Sequence, residues 1–223
     1  RSWVIPASLH SFLDNASWDD GAADLESGHG THVAGSVLGN GTRSGGGIRG
    51  MAYNARLVFQ AVEQYLNVKP AYEWQLADGY YLVGIPDDLN DLFLQSYNDG
   101  ARIFSNSWGG CEDGSGNLIY GQYTAESQDI DEFSWNHKDA LILFAAGNDG
   151  RDGNSNGVID SDSLSVQAAA KNCITVGASE NNRPSGSVPA PGYDIPYGTG
   201  SWLADFPALP ISADHVSDDP EGM

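Results

Sequence analysis

The chain has 223 residues, 40% of them hydrophobic, long and apolar enough for one domain with a real core and too apolar for a disordered chain. Its formal net charge is -20, from 30 acidic against 10 basic side chains, a balance that repels nucleic acid and anionic membrane and excludes both as expected partners. No apolar run approaches the length of a bilayer span, and Arg1-Ser2-Trp3-Val4-Ile5-Pro6 has neither a signal-peptide apolar region nor an initiating Met, so the chain is expected to begin inside a longer protein.

Residues 1–27 are mixed and polar, with no strong period. The first sharp feature is Gly28-His29-Gly30-Thr31-His32-Val33-Ala34-Gly35, which sets a histidine between two glycines and runs at once into small and apolar residues. Glycine keeps the local backbone permissive and bulk away from the ring. Ala34, Val37 and Leu38 recur at helical spacing and predict the buried side of a short helix starting near His29. An imidazole held there is fixed, accessible and of a type that titrates near neutrality, as a general base requires. Gly39 to Gly50 follows as a glycine-rich, flexible stretch. Its triple glycine is followed by no Lys-Ser/Thr pair, so it does not read as a phosphate loop.

Arg56 to Val62 reads as a buried strand, and Glu63 to Ile85, rich in Tyr and Trp, as a surface excursion, with a substrate-contacting wall as the alternative. Asp87 to Gly100 is the clearest helix: Leu89, Leu92, Phe93, Ser96 and Tyr97 recur at helical spacing between an acidic first turn and a closing glycine. Arg102 to Trp108 is a strand and Thr124 to Lys138 a helix, with Ile130, Phe133 and His137 roughly on one face. Leu141 to Ala146 and Cys173 to Ala178 are two further strands. Strands alternating with helices predict an α/β domain with a mostly parallel sheet covered by helices. The continuous apolar runs fit strands buried on both faces. After Asn181 the chain turns Pro/Gly-rich and irregular. The two cysteines, Cys111 and Cys173, form no disulfide framework and no metal spacing; Cys173 reads as a buried small hydrophobe, and a bridge between the two is the less favoured alternative.

Asn148 follows Ala145-Ala146-Gly147 at the C-terminal end of a strand, the sheet edge where ligands sit in open α/β folds. An amide there can donate to a developing oxyanion; by composition alone the segment reads as a turn Asn before Asp149-Gly150. Ser107-Trp108-Gly109-Gly110 closes another strand, and glycine there allows an extended peptide to approach the backbone. Asp152-Gly153-Asn154-Ser155-Asn156-Gly157-Val158-Ile159-Asp160 places hard oxygens at alternate positions, a glycine at the sixth and a backbone carbonyl from Val158 after it. That is the front half of an EF-hand-like calcium loop. The twelfth position is Ser163 rather than Glu, with Asp162 as the residue that could close the shell. A structural Ca2+ is the expected cofactor, a plain polar loop the alternative.

His29-Gly30-Thr31-His32-Val33-Ala34-Gly35 resembles the histidine signature of the subtilisin-like serine proteases, the subtilases, and Ala145 to Asn148 and Ser107 to Gly109 resemble two later segments of that family. The resemblance implies that His29 is the triad base, His32 a structural histidine and Asn148 the side-chain donor of the oxyanion hole. It implies that Ser107, Trp108 and Gly109 pair with the peptide and that Ala145, Ala146 and Gly147 line the primary specificity pocket. Trp108 is similar to the large residue of the oxidatively stable alkaline-protease branch. The implied architecture is the three-layer subtilisin-like fold, truncated at both ends, with residues 1–223 as one partial catalytic domain. The family's Asp-Thr/Ser-Gly motif is absent upstream of His29, and its Gly-Thr-Ser motif is absent downstream. Gly198-Thr199-Gly200-Ser201 lacks the Thr-Ser adjacency and the following apolar helix, so Ser201 is rejected as nucleophile.

The resulting expectation is an internal fragment of a secreted, monomeric, calcium-stabilised serine endopeptidase acting on protein or peptide substrates. The triad Asp and Ser are expected outside the chain, and the fragment alone is expected to be inactive. A non-catalytic calcium-binding adhesion or scaffold protein on a degenerate protease fold is the alternative. A zinc site built on His29 and His32 lacks the His-Glu-x-x-His pattern and a third clustered ligand.

Overall fold

A computed structural model of the chain describes residues 3–14, 28–112, 117–148 and 163–177. The chain divides into two compact units, Arg1–Phe104 with Asn136–Ala140, and Ser105–Trp135 with Leu141–Met223.

In the first unit, a 3-10 turn at Ala7–Phe12 precedes helix α1 (His29–Leu38), strands β1 (Glu63–Leu66) and β2 (Gly79–Leu82), and helix α2 (Leu89–Asn98). The two strands pair antiparallel, Glu63 opposite Leu82 and Leu66 opposite Gly79. The pleat puts Gln64 and Leu66 on the buried face and stacks Tyr65 edge-on against Tyr80, 5.2 Å away. Leu66 and Val68 close a core with Ile5 and Leu13, flanked by Leu9, Tyr72, Leu76, Tyr81 and Val83. Each such fully buried aliphatic is worth about 1.5–3 kcal/mol. The N-terminal segment is bound in by Trp3 N–H to Ala61 O at 3.0 Å and by the buried Gln64 amide, which donates to Trp3 O at 2.7 Å. Gly84 lets the chain pass close by: at φ +85, a Cβ there would run into Val4 O.

Two expectations are corrected here. Arg56–Val62 forms no strand. Only Ala61 makes a bridge, Leu57 is 52% exposed, and the Gln60 amide donates to Leu92 O and Gln95 Oε1 of α2 instead of joining a ladder. The strand forms one step later, inside the expected surface excursion, because Gln64 and Leu66 find a buried face there.

Helix α2 follows its sequence signals closely. The Asp88 carboxylate accepts from Asn90 N–H at 2.9 Å as the N-cap, and Leu89, Leu92, Phe93 and Ser96 are buried. At the other end Ala101 N–H reaches Ser96 O and Gly100 N–H reaches Tyr97 O, the two bonds of a Schellman motif, with Gly100 at φ +99. Beyond α2, Arg102 lies over the Tyr97 ring at 3.9 Å and donates Nε–H to Asp139 at 2.8 Å, while Tyr97 O–H also donates to Asp139. His137, expected on a helix face, lies just past α3 and meets the Tyr97 ring edge-on at 4.5 Å.

The second unit carries helix α3 (Ala125–Asn136, to Trp135 in this unit), and the sheet has strand order β3-β4-β5, from β3 (Ile103–Asn106, from Ser105 in this unit), β4 (Leu141–Ala145) and β5 (Ile174–Val176). Strands β4 and β5 are parallel, with Leu143 opposite Ile174 and Ala145 opposite Val176. Helix α3 buries Ser127, Ile130 and Phe133, and Thr124 N–H donates back to Ser127 Oγ at its start. Along β4 the pleat alternates: Ile142 and Phe144 are fully buried, whereas Leu141 is 40% exposed, and Ile174 and Val176 of β5 are 46% exposed. A parallel sheet covered on both sides buries both sets of residues. Mixed helix and parallel strand therefore match the expected α/β class. Among the described residues one set on this sheet stays partly open.

Candidate active site

His29 is the first residue of α1. Gly28 before it adopts the left-handed conformation, φ 61 and ψ 9, which glycine enters without the steric penalty of a side chain, and its carbonyl accepts from His32 N–H at 2.9 Å. Gly30 serves a different need: a Cβ there would stand 3.1 Å from Phe59 Cζ. The two glycines flanking the histidine thus answer separate constraints, one conformational and one steric. His29 and His32 are both exposed, and Ala34, Val37 and Leu38 are half-buried rather than core. The far end of α1 is held by the following loop. Gly50, Met51 and Ala52 N–H groups donate to the carbonyls of Gly39, Ser36 and Val37. Gly50 approaches so closely that a Cβ would fall 2.6 Å from Val37 O. Three carbonyls at the helix end are satisfied in this way. The loop expected to be flexible carries its own bonds as well: Asn40 Oδ1 accepts from Thr42, and Ser44 Oγ bonds Gly41 and Ile48.

The other candidate residues within the described chain belong to the second unit. Two strand ends lie side by side there. At the end of β3, Asn106 donates Nδ2–H to Leu143 O at 3.0 Å, and beyond it half-buried Trp108 meets the Phe144 ring edge-on at 5.1 Å. Ser107 is half-buried, while Gly109 and Gly110 are exposed. At the end of β4, Ala145 is half-buried; beyond it Ala146 and Gly147 are half-buried and Asn148 is exposed, with Gly147 at φ +112. Trp108 is therefore tied through a ring contact to β4, the strand that leads into Ala146 to Asn148.

A third segment, unforeseen in the sequence, joins these two ends. Ser165 N–H donates to Ala146 O at 2.9 Å, Val166 N–H donates to Gly110 O at 3.0 Å, and the Gln167 carboxamide oxygen accepts from Gly110 N–H at 3.0 Å. Ser127 Oγ of α3 donates to Val166 O, and Gln167 Nε2 donates to Glu126 Oε2 in the first turn of the same helix. Ser165 and Gln167 are 5% and 4% exposed. A buried amide must be bonded, and here both its ends are. Burial raises the pKa of Glu126 above the ordinary carboxylate value; the Gln167 bond opposes that rise and nearby Asp129 adds to it. The one available signal was a lone polar residue in Val166-Gln167-Ala168-Ala169-Ala170, an otherwise apolar run.

Asp152, Asn154, Asn156, Val158, Asp160 and Asp162 lie outside the described residues, as does Ser201. Among the described residues no group of three His, Cys, Asp or Glu could hold a metal ion, and no helix is long and apolar enough to cross a membrane. Cys111 and Cys173 form no disulfide with each other. Burial pushes the Cys173 thiol up in pKa, and its Sγ–H donates to Ala170 O at 3.5 Å.

The family model described as "Subtilase family" (Peptidase_S8) matches residues 8–214. The chain is similar to three proteins of Dictyostelium discoideum. The serine protease/ABC transporter B family protein tagD is 34% identical over 174 residues, covering 76% of this chain and 8% of that protein. The corresponding protein tagB is 33% identical over 160 residues, covering 70% and 7%. For tagA the identity is 27% over 183 residues, covering 81% and 9%. The chain thus spans under a tenth of the length of these relatives. No solved structure matches it significantly.

Proposed function

Because this chain belongs to the subtilase family, we propose that it is part of the catalytic domain of a serine endopeptidase of the subtilisin type that cleaves protein or peptide substrates. The observation that carries the reading is His29: an exposed imidazole at the first position of a helix whose start is set by left-handed Gly28 and whose end is held by Gly50 to Ala52. In this role His29 takes the hydroxyl proton of the nucleophilic serine and returns it to the leaving amine. Asn148 donates an amide N–H to the tetrahedral oxyanion, a type of donor whose loss in a subtilisin costs about 10²–10³ in rate. Ser107 to Gly109 accept the peptide as an added strand, and Ala145 to Gly147 wall the primary pocket. The orienting Asp and the nucleophilic Ser are assigned to no residue of this chain, so the chain by itself is inactive in this reading.

A Ca2+ ion is part of the same proposal. Asp152, Asn154, Asn156 and Asp160 offer the hard oxygens calcium requires, and Val158 a carbonyl. When bound, the ion supplies positive charge to an acidic loop a few residues after Asn148. We place the intact protein outside the cell and as a monomer. The test is hydrolysis of casein and short peptides by the full-length protein. His29→Ala is expected to lower kcat by several orders of magnitude, since triad members act as a unit. Undiminished turnover in His29→Ala would remove the histidine from the chemistry.

A further inference from the structure

We infer that Gln167 is a positioning residue that sets the selectivity of the primary pocket, an inference that rests on the protease reading above. The directionality of its amide is the starting point. An ionised Glu126 can only accept, so the nitrogen end of the Gln167 carboxamide must face it and the oxygen end must face away. That oxygen then meets Gly110 N–H at 3.0 Å. The carboxylate at the start of α3 therefore fixes which way the amide points, and the amide fixes where Gly110 sits.

The neighbouring bonds extend the same control to both proposed walls. Val166 N–H holds Gly110 O, and Ser165 N–H holds Ala146 O, so three consecutive residues tie Ser107–Gly110 on one side and Ala145–Gly147 on the other. Gly109 lies against this segment with no space to spare, because a Cβ there would stand 3.0 Å from Gln167 Oε1 and Ser165 Oγ. None of these hydrogen bonds ends on His29 or Asn148. Their effect falls on the spacing of the walls, and a pocket of set width discriminates side chains by about 10–200-fold per methylene.

The experiment uses the full-length protein and peptide substrates that differ only in the residue before the cleaved bond: Ala, Leu or Phe. Gln167→Ala is expected to compress the ratio of kcat/KM between the best and worst substrate about tenfold, through KM, with kcat on the best substrate little changed. The Gly110 amide should exchange with solvent about tenfold faster, since it loses its acceptor. Glu126→Gln retains an acceptor for Gln167 and should keep the wild-type ratio, whereas Glu126→Ala should behave like Gln167→Ala and supplies the test if the latter does not fold. Equal loss of kcat on all three substrates would make Gln167 merely structural and overturn the inference, as would an unchanged ratio in both Ala variants. If the wild-type protein cleaves none of the peptides, the protease reading fails and the inference falls with it. If wild type cleaves and the Ala variants discriminate like wild type, only the inference falls.

Discussion

Gly109 and Gly110 are adjacent, both exposed, and neither has a positive φ, yet replacing them by alanine should have opposite outcomes. At Gly110 a new Cβ meets nothing within 4 Å. At Gly109 it meets Gln167 Oε1 and Ser165 Oγ at 3.0 Å and Ser165 Cβ at 3.1 Å. These neighbours are 4% and 5% exposed and have no solvent to retreat into. Overpacking of this kind costs about 1–3 kcal/mol. If Gln167 yields instead, its bond to Gly110 N–H weakens, at about 0.5–1.5 kcal/mol. Replacing glycine also restricts the unfolded chain, which offsets about 0.4–1 kcal/mol. The net loss for Gly109→Ala is then roughly 0–2.6 kcal/mol, whereas Gly110→Ala, with the unfolded-chain term and no clash, gains about 0.4–1 kcal/mol. For a domain of this size the larger value lowers Tm by about 2–4 °C per kcal/mol. Thermal melts of the two variants provide the comparison. A second-site Ser165→Gly should return most of the stability lost in Gly109→Ala. Equal Tm losses at the two glycines, or no relief from Ser165→Gly, would refute the steric argument.

Glu126 has a raised pKa in the folded protein, so its contribution is favourable below the unfolded value of 4.5 and is lost as pH rises through the folded value. Glu126→Gln should therefore match or exceed wild-type stability at neutral pH, and its stability should rise relative to wild type as pH climbs from below 4.5, which melts across pH will show. Gly84→Ala combines a left-handed φ with a clash against Val4 O, whereas Gly100→Ala has the φ and no neighbour. The first should lift residues 3–5 and speed exchange of the Trp3 amide; the second should cost only about 1–2 kcal/mol. In melts of the full-length protein with calcium and with chelator, Asp152→Ala/Asp160→Ala should abolish the stabilising shift given by the ion, because the ion binds the folded state preferentially. Identical shifts in wild type and variant would place calcium elsewhere.

Elements whose signals are local could be read from the amino acids alone. Helix α2 was legible because its period, its Asp88 cap and its Gly100 stop all lie within one stretch, β4 because it is an unbroken apolar run, and β5 because three β-branched residues, Ile174, Thr175 and Val176, follow one another. The helix opening at His29 and the candidate roles of Asn148 and Ser107 to Gly109 came from short motifs whose residues are contiguous. Whatever depends on a distant partner was settled only when the chain folded. Arg56–Val62 has the composition of a strand but no ladder, while Gln64 and Leu66 gain a buried face only where β2 and residues 5 and 13 meet them. Apolarity states that a segment will be buried, and it leaves open against what. The same reason hid Gln167. Its value rests on Glu126, 41 residues away, and Gly110, 57 residues away, and a hydrogen bond between groups so separated leaves no periodic trace in the sequence.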